Sequence, residues 1–195
     1  MKSRVKAILI DLKSFRCMSR DDIIDLHFQR LNNAVTCCNT VMKRLRRDGH
    51  VDANISQKPF IYFPQPSTLR KTSQKIPHSL GIIDVYKQIM HYEEPKYRKD
   101  YMEPDAFTIW RRSPFFIEVQ KSVYSKKIMQ DKINRYELYF HSQKWHSESW
   151  QPKESKFFPS ILTITNKKYD ITSSNFRIFQ ATSIHDFMDT LAVKS

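Results

Sequence analysis

Residues 104–120 read Pro104-Asp105-Ala106-Phe107-Thr108-Ile109-Trp110, then Arg111-Arg112-Ser113-Pro114, then Phe115-Phe116-Ile117-Glu118-Val119-Gln120. The apolar runs on either side of the Arg-Arg-Ser-Pro break predict two short strands, 105–110 and 115–120, paired as a hairpin. Side chains two apart on a strand share a face, so Glu118 and Gln120 point the same way. With Arg111 to Pro114 as the whole loop, Trp110 lies opposite Phe115, and Asp105 lies opposite Gln120, diagonal to Glu118 on the same face. A loop one residue shorter, or a bulge, would turn Asp105 to the other side. Two carboxylates meeting on one sheet face can hold a hard divalent cation such as Mg²⁺. Such an ion can activate water and stabilise charge on a cleaved phosphodiester. A turn at the start of a strand followed by a solvated glutamate gives the same letters, so the pair by itself leaves both readings open.

Working outward, the surrounding sequence predicts a mixed α/β domain over 78–195, opened by His78. A helix over 79–91 turns Leu80, Ile83, Tyr86 and Ile89 or Met90 inward. A charged stretch from Glu93 to Glu103 leads into the hairpin. A long helix follows over 124–142, then an irregular loop over 143–157 containing Trp145, His146 and Trp150. Phe158 to Thr165 reads as a buried strand, 176–181 as another strand and 184–192 as a helix. Trp145 and Trp150 suit stacking on bases, although packing against their own domain is the commoner use of such residues. His141, His146 and His185 lack ligand-like spacing.

The amino-terminal part, 1–63, reads differently. Val5, Ile8, Leu9 and Leu12 recur at helical spacing over 3–15. Ser19, followed by Asp21 and Asp22, is a helix N-terminus. A third helix over about 31–47 carries Val35, Cys38, Val41, Met42 and Leu45 on one face and ends at Asp48-Gly49, where glycine accepts the left-handed conformation. Residues 50–54 and 59–63 read as two strands around Ser56-Gln57-Lys58. Three helices and a β-hairpin in this order make a winged helix-turn-helix. In that fold the third helix enters the major groove of DNA. The face opposite its apolar row presents Thr36, Asn39, Thr40, Lys43 and Arg47, flanked by Arg44 and Arg46, with Lys58 at the wing tip. Thr and Asn suit base edges, and Lys and Arg suit phosphates. A solvated charged face is the plainer use of such a run. Residues 64–77, rich in Pro, Ser, Thr and Lys, read as a linker.

Composition narrows the function classes. Only Gly49 and Gly81 occur in the 195 residues, which argues against glycine-rich phosphate loops. Residues 1–77 hold 15 Lys and Arg against 6 Asp and Glu, whereas 78–195 hold 18 against 14, so the net charge of +13 is concentrated at the amino-terminal side. A field of that sign attracts polyanions in a salt-dependent way. Cys17, Cys37 and Cys38 are odd in number and lack a CxxC spacing, which suits reduced thiols in a reducing compartment. The apolar run Ala7 to Ile10 stops at Asp11, too short for a signal peptide, and no stretch is long enough to span a membrane. A cytoplasmic, nucleoid-associated location is expected.

A helix, Pro104-Asp105, a hairpin and Glu118-Val119-Gln120 together resemble the PD-(D/E)xK nuclease superfamily. More narrowly, the chain resembles the bacterial replication-relaxation family of plasmids, phages and integrative elements over roughly residues 5–190. The residues that carry this likeness are Lys43-Arg44-Leu45-Arg46-Arg47-Asp48-Gly49-His50-Val51, His78, Pro104-Asp105-Ala106, Phe116-Ile117-Glu118-Val119, Lys132 and Tyr136. The resemblance implies an α+β chain in which the winged helix precedes an α/β restriction-endonuclease-like domain with a mixed sheet. It implies Asp105 and Glu118 as Mg²⁺ ligands with the Val119 carbonyl as a third, and Gln120 where the superfamily's catalytic lysine stands. Lys121 or Lys132 would then supply the missing charge, and Glu94 an extra carboxylate. The function so implied is DNA binding in the replication, relaxation or control of a mobile element, with Mg²⁺-dependent nicking by Asp105, Glu118 and Gln120 if the site is active and no cofactor otherwise. Expected partners are double-stranded DNA and replication or transfer proteins of the same element, with no membrane; a homodimer is compatible. The alternative is a non-catalytic winged-helix regulator whose second domain dimerises or docks a partner.

Overall fold

In the third helix of the chain, Cys38, Met42 and Leu45 recur at intervals of three and four and are fully or nearly fully buried, while Asn39, Thr40, Lys43 and Arg44 between them are exposed. That alternation defines an amphipathic helix pressed onto a small core. The computed structural model describes residues 3–89 and 101–192, and the chain divides into two compact units, Met1–Lys87 and Gln88–Ser195. Among the described residues there are six α-helices, two small sheets and no helix long and apolar enough to cross a membrane.

The first unit runs α1 (Ser3–Phe15), β1 (Met18–Ser19), α2 (Arg20–His27), α3 (Ala34–Arg47), β2 (Val51–Asn54), β3 (Ile61–Pro64) and α4 (Ile76–Ile89). Helix α2 starts on a reciprocal cap. The Asp22 N–H donates to Ser19 Oγ at 3.0 Å and the Ser19 N–H donates to Asp22 Oδ2 at 3.1 Å. After α3 the chain reverses at Gly49, whose φ of 75° lies in the left-handed region. The strands form an antiparallel sheet in the order β1-β3-β2, with Val51 opposite Pro64 and Met18 opposite Tyr62. The two-residue strand β1 has no apolar periodicity of its own and is held by pairing with β3. Its core gathers Ile8, Leu12, Met18, Ile23, Phe28, Cys38, Met42 and Leu45. Burial pushes the Cys17 and Cys38 thiols up to about 11, so both stay protonated at neutral pH. Val35, expected inward on α3, is half exposed, whereas Ala34 and Cys37 on either side of it pack on the core.

Residues 64–77 are not a linker, and α4 does not open the second unit. Leu69 and Ile76 pack on Cys17, Ile61 and Phe63, and Lys71 pairs with Asp52 at 2.6 Å. Helix α4 begins at Ile76 with Pro77 in its first turn, a position where the missing N–H costs nothing. Ile83 is fully buried in the first core, the Tyr86 ring lies 5.3 Å from that of Phe15, and Lys87 Nζ reaches Asp22 Oδ1 at 2.7 Å. The polar composition of 64–77 hid two buried apolar anchors.

The second unit carries β4 (Ala106–Trp110), β5 (Ser113–Gln120), α5 (Lys126–His141), a short 3₁₀ turn (Lys144–Ser147), β6 (Ser160–Thr165), β7 (Ile178–Ala181) and α6 (Ile184–Ala192). The mixed sheet runs β4-β5-β6-β7, with β4 antiparallel to β5 and the other pairs parallel. A parallel pair needs a crossover, and α5 lies within the β5–β6 connection. Phe107, Phe116 and Ile161 turn to the α5 side, against Met129, Ile133, Tyr136 and Tyr139. Phe115, Phe179 and Trp110 turn to α6, where all three rings lie within 6.1 Å of Phe187. Trp145 is buried, with its indole N–H donating to the Phe140 carbonyl, and Trp150 packs 5.0 Å from Phe107.

Candidate functional site

The β4–β5 hairpin positions the acidic pair. Its loop is Arg111-Arg112 alone, with Trp110 opposite Ser113 and Ala106 opposite Ile117. Both arginines have positive φ, 49° and 65°, as a two-residue turn matched to strand twist requires. The expected loop through Pro114 is therefore too long. Continuing the observed register brings Asp105 across from Glu118 rather than Gln120. The shift is an even number of residues, so Asp105 keeps its face and moves closer to Glu118. The Asp105 carboxylate accepts the Val119 N–H at 2.7 Å, which closes the start of the hairpin.

Glu118 lies on the α5 side of the sheet and is 2% exposed. Register sets Thr163 and Gln180 beside it, so a polar row crosses β5, β6 and β7. Helix α5 supplies the partners. Tyr136 Oη donates to Glu118 Oε1 at 2.5 Å, and Lys132 Nζ lies 2.5 Å from Oε2. Lys132 and Tyr136 are four apart and so share one helix face. Burial raises the Glu118 carboxyl to about 7; the Lys132 ammonium opposes that shift and the nearby charge of Asp105 adds to it. Burial, reinforced by Glu118, likewise holds the Tyr136 phenol well above its ordinary value, so it remains a donor. Gln120 is buried, and its amide donates to the Ser122 carbonyl at 2.7 Å. It is committed to its own chain.

These donors do not fit Mg²⁺. The ion takes an octahedral shell of oxygens, whereas both Glu118 oxygens are engaged by protein donors and one Asp105 oxygen serves a backbone amide. Among the described residues no group of three or more His, Cys, Asp or Glu could hold a metal ion. Glu94 lies outside the described residues. The cation beside Glu118 is the Lys132 ammonium. Lys121 is exposed. The resemblance offered Lys132 as a charge for the site, and it is the residue that reaches Glu118; nothing in the sequence set Tyr136 against that carboxylate.

In the first unit Thr36, Asn39, Thr40, Lys43, Arg44, Arg46 and Arg47 are all exposed along α3, and Lys58 is exposed in the β2–β3 connection. Arg47 pairs with the adjacent Asp48 at 2.9 Å. A cleft of about 300 Å³ runs along the α1 side of this ridge, lined by Arg4, Phe28, Thr36, Thr40 and Arg44. A second, of about 280 Å³, separates Asn39, Lys43 and Arg46 from Ile55 and Phe60 of the hairpin. A helix with a cationic, small-polar face between two clefts is open to a partner along its length.

Residues 64–152 match the family model described as replication-relaxation. No curated protein and no solved structure matches the chain. The matched segment contains Asp105, Glu118, Lys132 and Tyr136, and stops short of α3 on the other side. Across that segment, which includes the whole acidic-pair hairpin and the helix that neutralises it, this chain is similar to the replication-relaxation family.

Proposed function

We propose that the chain binds double-stranded DNA and acts in the replication of a mobile element, in its relaxation or in the control of either. The first unit works as a winged helix, with α3 in the major groove and the β2–β3 connection against the backbone. Thr36, Asn39 and Thr40 meet base edges, and Lys43, Arg44, Arg46, Arg47 and Lys58 meet phosphates. The observation that carries this reading is the exposed α3 face. Seven polar or cationic residues stand in the open on a helix whose other face is core, and only Arg47 among the cations is tied to a carboxylate by a described ion pair.

For the second unit the geometry favours a non-cleaving role. Glu118 is held by Lys132 and Tyr136, an internal cation and a donor that give the sheet and α5 one fixed arrangement. Magnesium-dependent nicking by Asp105, Glu118 and Gln120 would require Lys132 to leave and Gln120 to turn away from Ser122.

The test is footprinting and gel-shift on the element's own origin and promoters, beside supercoiled plasmid with Mg²⁺ or Mn²⁺. A protected site without cleavage supports the proposal. Changing Lys43 and Arg47 to Ala should weaken duplex binding and reduce the slope of log K against log salt by about 2, at roughly 0.9 per phosphate contact. An unchanged slope would remove α3 from the interface.

A further inference from the structure

One end of the second unit carries a cleft that the duplex-binding reading does not use. It measures about 500 Å³, and the charged residues lining it are Arg112, Lys156 and Arg177, with no acid among them. None of the three forms an ion pair among the described residues; Lys156 Nζ donates to the Pro152 carbonyl, which leaves its charge uncancelled. The apolar lining includes Phe157, Phe158 and Phe176. Phe158 and Phe176 lie 5.1 Å apart in the core behind the cleft, whereas Phe157 is 53% exposed. Phe157 is also held in place. The Gln151 side-chain amide accepts the Phe157 N–H at 3.0 Å and donates to the Phe157 carbonyl at 2.8 Å. Such a clamp fixes the backbone that presents an exposed ring.

We infer that this cleft binds an unpaired DNA strand, stacking a base on Phe157 while Arg112, Lys156 and Arg177 meet its phosphates. An exposed aromatic ring on a rim of one charge matches a ligand that offers flat faces and repeated negative charge together. A duplex conceals its base faces, so the strand must be open. The three cations come from the β4–β5 turn, the loop before β6 and the residue before β7, so they surround the ring rather than form a single charged run. The choice of DNA over RNA rests on the proposed function above; the choice of a single strand rests on the cleft itself. A chain that grips duplex with one unit and an opened strand with the other would sit at a junction between the two.

The experiment is fluorescence anisotropy on the full chain with labelled dT15, rU15, a duplex of the same length and oligo-glutamate. The variants are Phe157→Ala, the triple Arg112→Asn/Lys156→Ala/Arg177→Ala, and Lys43→Ala/Arg47→Ala. Asn is used at position 112 because φ there is 65° and Asn tolerates that region. All four cleft residues are exposed; tryptophan fluorescence checks that the cleft variants fold, and far-UV dichroism checks the α3 variant. Phe157→Ala should weaken dT15 about 10-fold, within the range for loss of one stacked base, and leave duplex affinity unchanged. The triple variant should lower the salt slope for dT15 by about 2, at roughly 0.7 per contact for a single strand. The α3 variant should weaken duplex and spare dT15. The inference is overturned if Phe157→Ala leaves dT15 binding intact, if oligo-glutamate binds as well as dT15, or if rU15 binds more tightly than dT15. Unaltered protein that binds dT15 but not duplex, or an α3 variant that keeps full duplex affinity, would instead refute the reading of α3.

Discussion

Replacing Lys132 by Met keeps the aliphatic stem on α5 and removes the ammonium from Glu118 Oε2. The Glu118 carboxyl lies at about 7 in the fold against an ordinary value of 4.5. An acid whose folded pKa is raised contributes stability that is full below the unfolded value and is lost as pH rises through the folded one. The shift corresponds to about 3 kcal/mol at roughly 1.4 kcal/mol per unit, so the second unit should weaken by that order between pH 4.5 and pH 7 or above. Without Lys132 the ionised carboxylate has lost its countercharge, and breaking a buried pair on one side costs about 3–5 kcal/mol. Lys132→Met should therefore destabilise by that amount at pH 8. At pH 5 the carboxyl is protonated in both proteins, and only a hydrogen bond of about 1 kcal/mol is lost. Adding Glu118→Gln to Lys132→Met should recover most of the loss at pH 8. The assay is urea unfolding followed by tryptophan fluorescence. Trp110, Trp145 and Trp150, the chain's only tryptophans, all belong to the second unit and report it alone. Equal destabilisation at pH 5 and pH 8, or no recovery in the double variant, would refute the charge argument.

Three further outcomes follow from the packing within each unit. Adding millimolar Mg²⁺ or EDTA should leave the unfolding midpoint of the second unit unchanged, since Glu118 already holds a cation; stabilisation by Mg²⁺ that Glu118→Gln abolishes would mean that the ion displaces Lys132. Ile83→Ala should cost the first unit about 2–5 kcal/mol, as for a fully buried aliphatic side chain. A fragment covering residues 1–89 should accordingly give a cooperative far-UV dichroism transition that a fragment of residues 1–63 lacks, and cooperative unfolding of the shorter piece would show that α4 is dispensable.

Most elements were legible because their signals are local. Helix α1 matches its expected span, α3 ends where Gly49 can take positive φ, and the strands of the second unit fall where apolar runs lie between turn residues. The face shared by Asp105 and Glu118 was legible too, because side-chain alternation survives any even error in loop length. The loop length was not, since Arg111-Arg112 lacks the Asn-Gly or Asp-Gly signature of a two-residue turn. Strand β1 could not be read at all: Met18 and Ser19 are a strand only because β3 pairs with them.

The sequence by itself determined the periodicities, the uneven charge, and which residues could carry chemistry. Only the tertiary structure decided what those residues touch. Helix α4 joined the first unit because Ile83 and Tyr86 found apolar partners on α1, a choice among cores that composition over 64–77 does not encode. Glu118 met Lys132 and Tyr136 because a parallel crossover lays α5 across the sheet, joining positions 14 and 18 residues apart. Long-range contact sets the solvent exposure and the countercharge of a carboxylate, and those two quantities determine whether it titrates, binds an ion or locks a fold.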